Sequence, residues 1–230
     1  MNILSIETAC EHGSVALMHG GELLVRRIRG AANHSEAILR DLRALLAEAD
    51  VAVAQLDAVA FGAGPGAFTG LRLACGVAQG IALGADLGIA VVNSLQALAL
   101  QIDAARVFVA TDARMGEVYH AAFARDADGM PALVGSVRCS APLDVELPTG
   151  DWFAAGSAFQ VWPEELGARH LGRLTGCRPE AVPRADEVAR LAATAVTRGL
   201  LVPPERAAPL YVRDKVAMTT AERLARGGRA

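Results

Sequence analysis

Gly62-Ala63-Gly64-Pro65-Gly66-Ala67-Phe68-Thr69-Gly70-Leu71-Arg72 is the stretch whose reading decides the fold. It begins as the end of a strand, Asp57 to Phe61, with Val59 and Phe61 on one face. A glycine-rich turn then feeds a helix over 67–84. Four glycines in nine residues remove side chains, so another backbone or an anion can come close. Pro65 stands just before the first helical turn, where a missing N–H costs little. After Arg72 no charge occurs until Asp86, and Gly76, Gly80 and Gly84 recur every fourth residue as a smooth strip. A helix apolar on nearly every side fits two readings. Either it is fully enclosed as core, or one of its faces is covered by a second protein.

The segments around this stretch alternate. Ile3–Ile6, Ser14–Met18 and Glu22–Ile28 read as a three-strand meander, with Gly20-Gly21 suited to a tight hairpin turn. A helix over 34–49 follows, with Asn33 as cap and Glu36 three residues on. Ile38, Leu42, Leu45 and Ala49 form its apolar stripe, widened by Leu39 and Leu46. After the glycine-turn helix, Ile89–Val92 is a strand, and Ser94 is placed to cap a helix carrying Leu95, Leu98 and Ile102. Strands followed by helices in this order imply a mixed sheet covered by helices.

Near residue 104 the pattern restarts with Arg106–Thr111, Glu117–Phe123 and Pro131–Arg138 as a second meander. Prolines at 142, 148, 163, 179 and 183 mark 139–185 as rich in loops. A helix from Asp186, as cap, runs to Arg198 and stops at Gly199. Pro209–Asp214 reads as extended, and 223–230 as a frayed basic end. The expected organisation is therefore α/β with two similar βββαβα-type lobes, 1–103 and 104–230.

Composition narrows the function. A chain of 230 residues that is 53% hydrophobic can build a substantial core. A net charge of −3 gives no electrostatic footprint for independent nucleic-acid binding. Cys10, Cys75, Cys139 and Cys177 are widely spaced, which fits reduced thiols in the cytoplasm rather than a disulfide or zinc framework. The first residues lack a secretory leader, and no uncharged apolar run is expected to reach bilayer length.

Candidate sites are all incomplete. The glycine turn could hold an anion at a helix N-terminus, but it lacks the lysine of a P-loop. Glu7-Thr8 at the end of the first strand, with Gly64 and Gly66, reads either as a vestigial phosphate cradle, its glutamate one methylene longer than the aspartate such cradles use, or as a capped turn after a core strand. His34-Ser35-Glu36 begins a helix on which Ile38 stands where a second zinc histidine would be. No G-x-S-x-G elbow marks a nucleophile. Asp112-x-Arg114-x-x-Glu117 reads equally as a structural ion pair or a catalytic one.

Five ordered segments carry a family resemblance. They are Ile3–Thr8, His34-Ser35-Glu36, Gly64–Arg72 (with Phe68, Thr69, Gly70 and Arg72), Asp112–Tyr119 (with Asp112 and Arg114) and Pro209–Arg213. In that order the chain resembles the TsaB (YeaZ) family. The resemblance implies an actin/Hsp70/sugar-kinase-like (ASKHA) fold and a role in making N6-threonylcarbamoyladenosine at position 37 of tRNA. It implies a non-catalytic subunit without cofactor or metal of its own, paired with a catalytic paralogue, TsaD. ATP and metal are then expected on partner subunits, TsaC makes the threonylcarbamoyl adenylate, and the TsaE ATPase acts on the pair. It further implies docking, and self-association, through helices 34–49 and 67–84. Helical spacing allots Ile38, Leu42, Leu45, Leu73, Val77 and Ile81 to that interface. Glu7 departs from the aspartate of the family, and only Ala155-Gly156-Ser157 stands where a nucleotide-binding glycine segment is expected. The alternatives are an independent small-molecule kinase of the same fold, a metallopeptidase-like enzyme, and a free-standing tRNA-binding protein.

Overall fold

The computed structural model describes residues 1–29 and 34–213, without the side chains of Arg29 and His34. The expected Asn33 cap, the His34 side chain and the tail over 223–230 lie outside the described residues.

The first sheet has the order β3-β2-β1-β4-β5, built from β1 (Asn2–Glu7), β2 (His12–His19), β3 (Glu22–Arg29), β4 (Ala58–Gly64) and β5 (Ile89–Asn93). β1, β2 and β3 are antiparallel, while β4 runs parallel to β1 and β5 parallel to β4. Gly20 and Gly21 take φ of +59° and +93°, as a two-residue hairpin turn requires. The second sheet, β10-β9-β6-β7-β8, repeats the plan. Its meander is β6 (Arg106–Arg114), β7 (Glu117–Arg125) and β8 (Pro131–Ser140). β9 (Trp152–Ala155) is parallel to β6, and β10 (Leu174–Arg178) is parallel to β9. Two sheets of equivalent strand order make this an ASKHA-like α/β fold.

The segment 139–185 is therefore more than loop, since β9 and β10 complete the second sheet. β9 is four residues long and buried at Trp152, Ala154 and Ala155, so it shows no alternation to read.

Helices cover the first sheet on two sides. Leu4, Ile6, Val15, Leu17, Val59 and Phe61 pack with α1 (His34–Glu48) and α2 (Phe68–Ala85). Ile3, Ala60, Ala90 and Val92 pack with α5 (Ala185–Thr197) on the opposite face, after α3 (Ser94–Leu100) and the short α4 (Ala158–Val161). That placement corrects the boundary at 103/104. Ser5 Oγ donates to Ala185 O at 2.8 Å, and Ser14 Oγ accepts from Ala185 N at 2.9 Å. Residues 104–230 thus supply a helix to the first sheet, while Leu95 and Leu98 of α3 pack with Val107, Val109 and Phe123 of the second.

Two caps differ from expectation. Asn93, not Ser94, caps α3, its Oδ1 accepting from Leu95 N at 2.8 Å and Gln96 N at 3.3 Å. Asp186 lies inside the first turn of α5 and pairs with Arg184, while Gly199 ends the helix at φ +65° as expected.

α2 spans 18 residues and is, by length and composition alone, apolar enough to cross a membrane, contrary to the sequence expectation. Its buried face consists of Gly70, Leu71, Ala74, Cys75, Ala78 and Ala82, a run of small residues that lets the helix lie close on the sheet.

Candidate functional site

The glycine turn between β4 and α2 is occupied by the chain itself. Ala67 N donates to Ala9 O at 2.7 Å, so the turn rests directly on the backbone that follows β1. A Cβ on Gly66 would lie 2.3 Å from Ala9 O, and one on Gly70 would lie 2.0 Å from Thr8 O. Thr8 Oγ1 donates to Gly70 O at 2.8 Å and is fully committed inward. Gly64, at φ +100°, is covered by the Leu71 side chain. Of the two approaches that the glycines permit, the backbone takes the place of the anion.

Glu7 completes the filling. Its carboxylate is wholly buried and lies where a Cβ on Gly62 would stand, 1.8 Å from that position. Ala9 N donates to Oε1 at 2.6 Å, and Ser94 Oγ donates to Oε2 at 2.7 Å. Ser94 Oγ in turn accepts from Gly64 N at 3.1 Å. Burial pushes the Glu7 carboxyl up to about 7, against the pull of these hydrogen bonds. Glu7, Thr8, Gly64 and Gly66 are thus brought together as expected, but they face one another. Of the two sequence readings, a vestigial phosphate cradle and a capped turn after a core strand, these contacts favour the turn.

The open feature is a groove along α1 and α2. Leu39, Arg72, Leu73, Gly76, Val77, Gly80 and Ile81 line a volume of about 460 Å³. A Cβ built on Gly76, Gly80 or Gly84 meets nothing within 4 Å, so the glycine strip faces open space. The six residues allotted to an interface divide here. Leu73, Val77 and Ile81 line the groove. Ile38, Leu42 and Leu45 are 0%, 2% and 1% exposed and pack into the core, which corrects their assignment. The reason is area: the first sheet needs the full apolar stripe of α1, leaving only the odd apolar residue outward. That residue is Leu39, 46% exposed. In the sequence Leu39 stands with Leu46 at the margin of the apolar stripe, and of the two only Leu46 is buried.

At the start of α2 the Arg72 guanidinium sits 3.6 Å from the centroid of the Phe68 ring, and its Nε donates to Tyr211 Oη at 3.0 Å. The Phe68 and Tyr211 rings are 5.7 Å apart. Two signature segments far apart in sequence therefore meet. Ser35 and Glu36 are exposed at the start of α1, and Thr69 is exposed beside Phe68.

The β6–β7 turn brings Asp112 and Arg114 within 3.4 Å, and Asp112 Oδ1 accepts from Arg114 N at 3.1 Å. Glu117 does not join them. It pairs instead with Arg213 at 2.7 Å, and Arg114 reaches Glu11 at 2.9 Å. Behind this turn, Gly156 has φ +108° and would clash through a Cβ with Ala110 O, while Ser157 Oγ accepts from Asp112 N at 3.0 Å. The glycine of Ala155-Gly156-Ser157 thus also serves close backbone packing.

A second, polar depression of about 320 Å³ is lined by His120, Arg138, Cys139, Ser140, Asp144 and Glu146 among others. His120 Nε2 is 3.0 Å from Ser140 Oγ, and burial together with Arg138 pushes its imidazole down to about 4. Among the described residues no three His, Cys, Asp or Glu side chains gather closely enough to hold a metal ion.

Comparison with known proteins agrees with this architecture. Residues 29–141 match the family model "TsaD: tRNA N6-adenosine threonylcarbamoyltransferase". The chain is 34% identical over 228 residues to the tRNA threonylcarbamoyladenosine biosynthesis protein TsaB of Escherichia coli K12, covering 94% of this chain and 96% of that one. It is 38% identical over 130 residues to the TsaB protein of Haemophilus influenzae, 55% of either chain. The solved structure of YeaZ from Pseudomonas aeruginosa, 36% identical, superposes with a TM-score of 0.85 over 91% of this chain and 99% of its own. With this similarity along almost its entire length, the chain belongs to the TsaB (YeaZ) family.

Proposed function

We propose that this chain serves tRNA N6-threonylcarbamoyladenosine biosynthesis as a non-catalytic subunit whose α1–α2 groove clasps the catalytic paralogue TsaD. The observation that carries this reading is a contrast between two neighbouring features. The glycine turn, where an ASKHA enzyme would cradle phosphate, is filled by Ala9, Glu7 and Leu71. The groove a few residues along the same helix is open and apolar, and its glycines admit a close helical neighbour. Leu39, Leu73, Val77 and Ile81 supply the contacts, and Gly76 and Gly80 supply the proximity. In the absence of TsaD a second copy takes the same groove.

ATP and metal are carried by the partner subunits, TsaE acts on the assembled pair, and TsaC supplies the adenylate. tRNA is engaged only through the complex, in the cytoplasm. An independent kinase would need the space that Glu7 and Ala9 occupy, and a metallopeptidase would need a ligand cluster.

The test is co-expression with TsaD, mass determination of the complex, and an activity assay with each component omitted. Turnover by this chain alone, or a TsaD preparation equally active without it, overturns the reading.

A further inference from the structure

The short segment Leu210–Arg213 touches both lobes. Leu210 N donates to Ala63 O at 2.8 Å, at the end of β4. Tyr211 holds Arg72 and stacks near Phe68 at the start of α2. Two residues on, Arg213 Nη2 donates to Ala113 O at 2.9 Å and Arg114 O at 3.3 Å. Its Nε lies 2.7 Å from Glu117 Oε2, and its guanidinium is 5.7 Å from the Tyr119 ring centroid. The side chain is only 13% exposed.

The turn that Arg213 grips is unusual. Arg114, Met115 and Gly116 have φ of +60°, +56° and +77°, and two of the three are not glycine. Non-glycine residues hold such backbone only where their surroundings fix it. Arg213 supplies that fixation from outside the hairpin, by binding two consecutive carbonyls and the carboxylate that closes it. From the same turn, Arg114 crosses to Glu11 in the β1–β2 connection of the first lobe. This pair is largely exposed on both sides, so it is weak and screened by salt.

We propose that Leu210–Arg213 is a strap that couples the two lobes, with Tyr211 gripping the start of α2, Arg213 anchoring the β6–β7 turn, and Glu11–Arg114 as a releasable catch. Asp112, Arg114, Tyr211 and Arg213 then act together, holding the second lobe's hairpin in register with the first turn of α2. Arg72 lines the groove and is held by Tyr211, so disturbance of the hairpin is felt where the partner docks, a link that rests on the function proposed above.

Hydrogen exchange of the isolated full-length chain tests the coupling and does not depend on what fills the groove. Arg213→Ala should speed exchange of amides in Asp112–Glu117 and also in Phe68–Arg72, each by about tenfold, the scale of one or two lost hydrogen bonds. Tyr211→Phe, which removes only the hydroxyl, should raise exchange at the β6–β7 turn as well as at α2, by about threefold. Arg213→Lys keeps the charge but loses the fork, and should resemble Arg213→Ala. Protection in β1 and β4 serves as the measure that each variant is folded. Effects confined to the end of the strap that was altered overturn the proposal. So does a Glu11→Gln variant in which high salt still loosens the turn as much as in the unaltered chain.

Discussion

Ser94 Oγ donates to Glu7 Oε2 at 2.7 Å beneath Gly62, so the acidic residue at the end of β1 is pinned by the first residue of α3. This bond explains why Ser94 is not the cap of its own helix. Its hydroxyl is needed on the carboxylate, and Asn93 caps in its place. It also requires Gly62, since any side chain there would expel the carboxylate.

The glycines of the turn and those of the groove should respond oppositely to the same substitution. Gly66→Ala and Gly70→Ala push a methyl into a backbone carbonyl and should cost about 3 kcal/mol or more. Gly76→Ala and Gly80→Ala meet open space inside a helix and should stabilise the isolated chain by about 0.5–1 kcal/mol. Denaturant unfolding of the four variants checks this. A tolerated Gly66→Ala would mean that the turn does not rest on Ala9.

On α1, neighbouring leucines should behave as different kinds of residue. Leu42→Ala removes a core side chain and should cost about 2–5 kcal/mol. Leu39→Ala should stay within about 0.5 kcal/mol, because nearly half of the residue is in solvent and it lies outside the core cluster. The combination Leu39→Glu with Val77→Glu should abolish co-purification with TsaD while circular dichroism remains native. Retained pairing would move the interface away from the groove.

The contrast between Leu39 and Leu42 also shows how far the sequence could be read. Period and punctuation announced α1, α2, α5 and the two meanders, because each has a long apolar pattern or a glycine stop. β9 and β10 were not legible, since four or five residues between prolines carry too little period. Of the four apolar groove positions, the partly buried Leu73, Val77 and Ile81 were legible and the exposed Leu39 was not. Helical spacing identified the apolar faces of α1 and α2, but not which face the sheet would claim. The Glu7–Ser94 bond and the Arg213–Glu117 pair join residues far apart in sequence, and no local pattern encodes such a meeting.

Neutralising Glu7 should change stability most at high pH. In the unfolded chain the carboxyl titrates near 4.5, and in the folded protein it titrates at about 7. Between these values the unfolded state releases its proton first, so stability falls as pH rises, and the loss is complete above 7. A shift of that size corresponds to about 3 kcal/mol at most. Glu7→Gln keeps the shape and removes the ionisation, so it should gain stability relative to the unaltered chain at pH 8 and little at pH 4.5. Thermal unfolding at the two pH values is the check.

His120 should act in the opposite sense over nearly the same range. Its imidazole titrates near 6.5 when unfolded and is pushed down to about 4 when folded, by burial first and by Arg138 second. The unfolded chain therefore gains a proton that the folded one refuses, and stability falls as pH drops from 6.5 towards 4. In the unaltered protein the two groups offset each other between 4.5 and 6.5, hiding both slopes. Single variants should expose them. Glu7→Gln leaves the histidine slope, with stability rising as pH rises, whereas His120→Gln leaves the carboxylate slope, with stability falling. The double variant should lose both contributions. Because Glu7 lies in the first sheet and His120 in the second, the two effects should add within about 0.5 kcal/mol in urea titrations across that range. Parallel slopes in the two single variants would contradict the enclosed placement of one group or the other.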